Sequence, residues 1–165
     1  MSEDSPPFPP SAPTPSPRPG ADFGRYRLLH LYYRHDRTAV PPPARGSVSV
    51  LRREQGWCEA PRHGSYNRLL RLPSQAGHET MWRDDRLYDV VGVLDWNIRP
   101  RASYRGSAIF LHLARVGYTP TEGCIALAER DLRRLLAAVP RPEFLVMAKP
   151  RKRHHEAIAP SPRRR

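Results

Sequence analysis

Acidic residues are scarce in this sequence. Sixteen Asp and Glu stand against 28 Lys and Arg, for a net charge of +12. Lysine is scarcer still, with only Lys149 and Lys152, so the positive charge is carried by arginine. That balance excludes an acidic, cation-binding character. It fits a polyanionic partner (nucleic acid, anionic lipid or an acidic wall polymer) and equally a solvated basic surface, and it does not choose among them. Cysteine is limited to Cys58 and Cys124. Their spacing matches no paired CxxC zinc pattern, and two thiols are too few for a disulfide scaffold. No metal and no cofactor is therefore expected. No apolar run approaches the roughly 18 residues a membrane-spanning helix needs, so no transmembrane segment is expected. The stretch after Met1 has no basic region followed by an apolar one, so no signal peptide is visible. No internal repeat, recognition helix, aromatic RNA-binding strand or zinc finger is present, and no specific nucleic-acid partner is expected.

What is present divides into three parts. Residues 1–22 open with MSEDSPPFPPSAPTPSPRPG, rich in Pro and Ser and too poor in apolar surface to offset its ordering entropy; a disordered arm is expected. Residues 150–165 are basic and Pro-containing, and are read as a disordered tail able to contact polyanions. Residues 23–149 hold the apolar patterning and form one domain, long enough for its own core. A monomer is expected.

Within that domain Arg25–Tyr33 (RYRLLHLYY) reads as a strand or two short ones, with His30 as a structural histidine. Pro41, Pro42 and Pro43 break the chain, and Ser47–Leu51 alternates as a strand does. Gly56–Leu72 is loop-like and then apolar, with Trp57 and Cys58 as packing residues and His63, Tyr66 and Asn67 available to a cleft. His78–Asp85 is mixed and suggests a short helical turn. Leu87–Trp96 (LYDVVGVLDW) is the clearest strand, nearly continuous in apolar character. Ser107–Leu113 (SAIFLHL) follows as its antiparallel partner, and alternation puts Ala108, Phe110 and His112 on one face. After Cys124 an apolar stripe of Leu127, Leu132, Leu135, Leu136 and Val139 predicts an amphipathic helix that Pro140 stops; Glu143–Ala148 reads as a last strand. The fold class is mainly β with one or two helices (α+β).

The chemistry concentrates at Gly106–Ala138. His112 sits in an apolar strand, and Cys124 lies twelve positions on, behind a loop with Gly117 and directly after Glu122 and Gly123. A thiol is ordinarily protonated at neutral pH and needs a base or cation beside it to react. His112 can be that base. Gly123 permits a sharp turn, and the N–H groups of Gly123 and Cys124 can serve as oxyanion donors. Spacing alone also fits a buried structural cysteine beside a core histidine.

A strand-borne histidine, a glycine-containing loop and a Gly123–Cys124–Ile125 step resemble the signature of the L,D-transpeptidase catalytic domain, also called the YkuD-type domain. SYNRLLRLP, HETMWRDDRLYDVVGVLDWN and RGSAIFLHLAR resemble a bacterial subgroup of that family with a TEGC nucleophile motif. The sequence differs from the common pattern in having Glu122 in place of histidine before Gly-Cys, Ala126 after it, a shorter loop between His112 and Cys124, and a Pro-rich arm where the family's opening strands stand. The resemblance implies a β-sandwich or barrel with a helix after the nucleophile, lacking its first strands. It implies a cysteine acyltransferase of peptidoglycan stem peptides: Cys124 as nucleophile, His112 as base with its tautomer held by a backbone carbonyl near Leu113, and 3→3 cross-linking or a related carboxypeptidase activity. Glu122, Arg115, Asn97, Tyr88 and Tyr66 are the candidate substrate contacts. The periplasm or cell wall is the implied location. The alternative is an inactive relic acting as a basic wall- or nucleic-acid-binding module.

Overall fold

The computed structural model describes residues 24–41, 47–138 and 144–147. The expected arm over 1–22 and tail over 150–165 lie outside the described residues, as does the Pro140 helix stop. The described chain is mainly β with a single helix, α+β in class. Its strands are β1 (Gly24–Tyr33), β2 (Ser47–Val50), β3 (Gln55–Cys58), β4 (Leu69–Arg71), β5 (His78–Thr80), β6 (Val90–Leu94), β7 (Phe110–Leu113), β8 (Ile125–Leu127) and β9 (Phe144–Met147); the helix α1 (Glu129–Ala138) lies between β8 and β9. One mixed sheet runs β2-β1-β6-β7-β8, with β9 added along the first half of β1, and a small antiparallel sheet runs β4-β3-β5. The long β1 serves two neighbours in succession on one side: Gly24–Arg27 pairs with β9, and His30–Tyr33 pairs with β2.

The period of two along β1, β6 and β7 sorts side chains into two cores. Leu31, Val90, Leu94, Ile109, Leu111 and Leu113 point to one, where Leu132 and Leu136 of α1 cover them. Tyr32, Val91, Val93, Ala108 and Phe110 point to the other, which Trp57 of the small sheet covers together with Leu51, Met81 and Tyr88. The main sheet is thus sandwiched between a helix and a three-stranded sheet. This explains why VVGVL in β6 is apolar throughout and buried throughout. Gly92 lets Leu28 and Leu31 pack onto its backbone: a Cβ would meet Leu28 Cδ1 at 2.6 Å and Leu31 Cδ2 at 3.3 Å and displace them.

The antiparallel pairing of β6 with β7 is as the sequence predicts, through Val91–His112, Gly92–Leu111 and Val93–Phe110. His30 is structural, its Nε2 lying 3.1 Å from Ser49 Oγ. Two readings change. The segment around His78 is a strand, not a helical turn, because Gly56–Cys58 offers it a ladder at Thr80, Glu79 and His78. The segment after Cys124 does not enter the helix at once. Ile125–Leu127 first adds a parallel strand beside β7, and only then does α1 begin. Glu129 and Asp131 sit in the first turn of α1, where carboxylates favour the helix dipole.

Candidate active site

β7 and β8 run parallel, with Leu111 opposite Ile125, His112 opposite Ala126 and Leu113 opposite Leu127. Residues opposite each other in a ladder face the same way. His112 and Ala126 therefore share a face, and so does Cys124, two positions before Ala126. This is the face of Phe110, turned toward the small sheet, and Cys124 packs against that core. The His112 and Cys124 side chains line one cavity of about 320 Å³.

The thiol is held by backbone. Cys124 Sγ donates to the carbonyl of Ala108 at 3.2 Å, and the N–H of Phe110 donates to Sγ at 3.4 Å. Gly123, with φ +101°, supplies the left-handed turn that delivers Cys124 to the head of β8. The imidazole is fixed on its other side. His112 Nδ1 lies 2.7 Å from the Leu113 carbonyl. A carbonyl can only accept, so Nδ1 carries the hydrogen and the neutral ring keeps its lone pair on Nε2. His112 is buried at 5% exposure and stacks edge-on against Tyr88, with centroids 5.4 Å apart. Burial pushes its pKa below the usual histidine range, opposed by the Leu113 hydrogen bond and the Glu79 charge.

Behind the pair runs a short polar chain. The Tyr88 hydroxyl donates to Glu79 Oε1, and Arg83 lies over the Tyr88 ring with its guanidinium carbon 5.2 Å from the centroid. Burial first, then the charges of Glu79 and Cys124, raise the Tyr88 pKa far above the usual range, so it remains a protonated donor. Arg83 is forked onto Asp85 at 2.9 and 2.5 Å and reaches Glu79 at 3.5 Å; Arg115 meets Asp85 at 3.5 Å. The cavity wall thus presents guanidiniums and carboxylates side by side.

Of the residues the sequence singled out, His112, Cys124, Tyr88, Arg115 and Glu122 line this cavity. Tyr66 and Asn97 do not. Tyr66 lines a second cavity, and its hydroxyl interacts with the side chains of Asn97 and Ser107. Asn97 secures its own turn by donating to the carbonyls of Ala102 and Gly106 at 3.0 and 2.9 Å. Glu79, Arg83, Thr119 and Thr121 also line the site, and sequence reasoning did not select them. For Glu79 the only signal was the weak alternation of His78–Thr80, legible once its partner strand is known.

Asn67, which the sequence left as one of several loop polar residues, ties the site's backbone together. It is 1% exposed. Its Oδ1 accepts from Trp57 Nε1 at 3.0 Å and from the N–H of Ala108 at 3.1 Å, and its Nδ2 donates to the Trp96 carbonyl at 3.0 Å. Ala108, held with φ +55°, is the residue whose carbonyl accepts the Cys124 thiol. One buried amide thereby fixes the small sheet, the end of β6 and the approach to β7.

Among the described residues, no group of three or more His, Cys, Asp or Glu is gathered that could hold a metal ion. No described helix is long and apolar enough to cross a membrane. A family model for the YkuD-type L,D-transpeptidase catalytic domain matches residues 14–149. Comparison with curated proteins and with solved structures gives no match.

Proposed function

The chain belongs to the L,D-transpeptidase catalytic-domain family, which acts on peptidoglycan peptides, and from that premise we propose that it is a cysteine acyltransferase with Cys124 as nucleophile and His112 as base. The observation that carries this reading is the placement of thiol and imidazole on one face of adjacent parallel strands, opening into one cavity. The His112 lone pair is directed to Nε2 by the Leu113 carbonyl.

The reaction follows from these groups. Cys124 leaves its Ala108 acceptor and gives its proton to His112 Nε2, while the Phe110 N–H stabilises the thiolate. The thiolate attacks the diamino acid's own carbonyl, in the peptide bond that joins it to the terminal D-alanine of a tetrapeptide stem. The N–H groups of Gly123 and Cys124 receive the oxyanion. The tetrahedral species collapses with loss of D-alanine, whose nitrogen takes the proton from His112, and a thioester remains on Cys124. The side-chain amine of a second stem then attacks the thioester, its proton passes to Nε2, and the thiol is regenerated with a 3→3 cross-link. Water in place of the amine gives the carboxypeptidase reaction.

A stem peptide carries free carboxylates and an ammonium together. The paired charges of Arg83, Arg115, Glu79 and Glu122 along the cavity suit that mixture. The family's association with the cell wall gives the location we infer. The domain bounds follow the same reading: a catalytic unit over 23–149, flanked by an arm and a basic tail.

The test is intact-mass analysis after incubation with a carbapenem, an acylating mimic of the donor. One adduct is expected on the wild-type chain and none on Cys124→Ala. Cys58, with no exposed surface, remains unlabelled. Absence of the adduct, or its survival in Cys124→Ala, removes the nucleophile from the reading. Incubation with a tetrapeptide stem then separates released D-alanine alone from cross-linked dimer.

A further inference from the structure

A second cavity, of about 530 Å³, lies between the 61–66 loop and the 99–103 turn and shares no lining residue with the Cys124 cavity. Its charged lining is Arg62, Arg99 and Arg101, with His63 beside them and no acidic residue among the described lining residues. The two walls are fastened to each other. Arg101 donates from Nη1 to the Gly64 carbonyl at 3.0 Å, and Ser103 donates to the Pro61 carbonyl at 2.8 Å. The turn on the far wall is itself fixed by Asn97, whose Oδ1 accepts from the N–H of Ala102 at 2.8 Å.

His63 is oriented by its neighbours. The N–H of Ser65 donates to His63 Nδ1 at 3.1 Å, and Cys58 Sγ lies 3.6 Å from the same nitrogen. With Nδ1 serving as acceptor, the neutral ring must carry its hydrogen on Nε2. The side chain is thus a donor in either charge state. Arg62 and Arg99 are exposed and make no side-chain hydrogen bond or ion pair among the described residues. The nearest carboxylate to register on the lining is that of Glu59, whose charge acts on Tyr66 at the inner end of the cleft.

We propose that this cleft binds a phosphate group, taken as the free anion or as the phosphodiester of an anionic polymer. Three guanidiniums on two facing walls, with Arg101 braced on the Gly64 carbonyl, suit a tetrahedral oxyanion, which accepts forks from several directions. A single carboxylate is satisfied by one fork. The site is separate from Cys124, and its existence does not depend on the acyl-transfer reading.

The full chain is titrated with inorganic phosphate, with a glycerol-phosphate oligomer and with succinate at low ionic strength, and amide NMR shifts are followed. Saturable shifts are expected at 61–66 and 99–103 with both phosphate probes, and affinity for succinate at least about tenfold weaker. R62Q/R99Q is expected to weaken phosphate binding about tenfold or more; R62K/R99K, which keeps the charge and removes the forks, falls between. Because both arginines are exposed, the variants should melt with the wild type and alkylate Cys124 at the same rate; the single variants R62Q and R99Q give the same comparison at smaller effect. Tighter binding of the oligomer assigns the site to a phosphodiester polymer, and equal affinity assigns it to the free anion. Shifts that do not saturate, that fall elsewhere on the chain, that persist unchanged in R62Q/R99Q, or that succinate reproduces at equal affinity overturn the proposal.

Discussion

Asn67→Ala is the substitution whose cost can be worked out most fully. The amide it removes serves two buried donors, Trp57 Nε1–H and the Ala108 N–H, at 3.0 and 3.1 Å, and the half-buried Trp96 carbonyl at 3.0 Å. A buried polar group left without its partner costs about 1–3 kcal/mol, so the two donors cost roughly 2–6 kcal/mol and the carbonyl, which water can reach, adds less. Position 67 also has φ +54°, and a non-glycine residue without the local hydrogen bonds of asparagine loses about 1 kcal/mol more there. Domain stabilities are about 5–15 kcal/mol, so the variant should sit near the edge of folding. In urea, with a slope of about 1–3 kcal/mol per molar, the midpoint should fall by about 2 M. Trp57→Phe is the internal comparison. It removes one donor, leaves Oδ1 bonded to Ala108, and should cost only about 1 kcal/mol through this bond. Asn67→Asp should not rescue, because it sets a carboxylate against the Trp96 carbonyl where the amide donated. In the fraction that remains folded, alkylation of Cys124 by iodoacetamide should change rate, since the Ala108 carbonyl that accepts its thiol loses its anchor. An Asn67→Ala loss below about 1 kcal/mol, or one no larger than that of Trp57→Phe, would mean that these bonds do not organise the site.

Other perturbations have equally definite outcomes. His112→Gln should slow Cys124 alkylation at least about a hundredfold, as expected for loss of a general base. In the wild type the acid limb of the same rate should lie below pH 6.5, since burial lowers the His112 pKa from that value; a limb above 6.5 would contradict its burial. The hydrogen bond from Arg34 holds the Asp36 carboxyl at about 2 against 3.8. The stability it confers is therefore present above pH 3.8 and lost as pH falls through about 2. Asp36→Asn should melt below the wild type at pH 7, with the gap closing near pH 2; a gap that persists in acid would assign the loss to something other than charge. Gly77→Ala, with open space around the new Cβ, should be neutral within about 0.5 kcal/mol, while Gly56→Ala, whose Cβ would meet Leu72, His78 and Leu70 at 2.9, 3.2 and 3.3 Å, should cost about 1–3 kcal/mol by calorimetry.

The strands most legible in the sequence were those with an unbroken apolar signal. VVGVL and SAIFLHL announced a central pair because both faces of that pair are covered, one by α1 and one by the small sheet. The three-residue strands His78–Thr80 and Ile125–Leu127 were illegible because their identity comes from the neighbour they pair with, and no local run that short carries a period. Misplacing the helix start had the same cause: Leu127 was counted into the helical stripe, though it closes a strand. At the site, His112 and Cys124 stood out by residue type and by the glycine before the thiol. Glu79 could not, since it reaches the cavity through a ladder to Gly56–Cys58 that sequence separation conceals, and Arg83 follows that strand. Tyr66 and Asn97 were plausible cleft residues by composition, yet their polar groups are spent on one another and on the turn they close.

The parallel ladder between Phe110–Leu113 and Ile125–Leu127 has a consequence for how such a protein can diversify. The distance from base to nucleophile is a property of sheet register, and the 114–121 segment that joins them is a tether outside the ladder that lends Arg115, Thr119 and Thr121 to the cavity wall. Length and composition there can drift, enlarging or narrowing the mouth of the site, while the reacting atoms keep their spacing. Selectivity and reactivity are thereby inherited on separate pieces of chain, and a new substrate preference can arise by remodelling the tether alone.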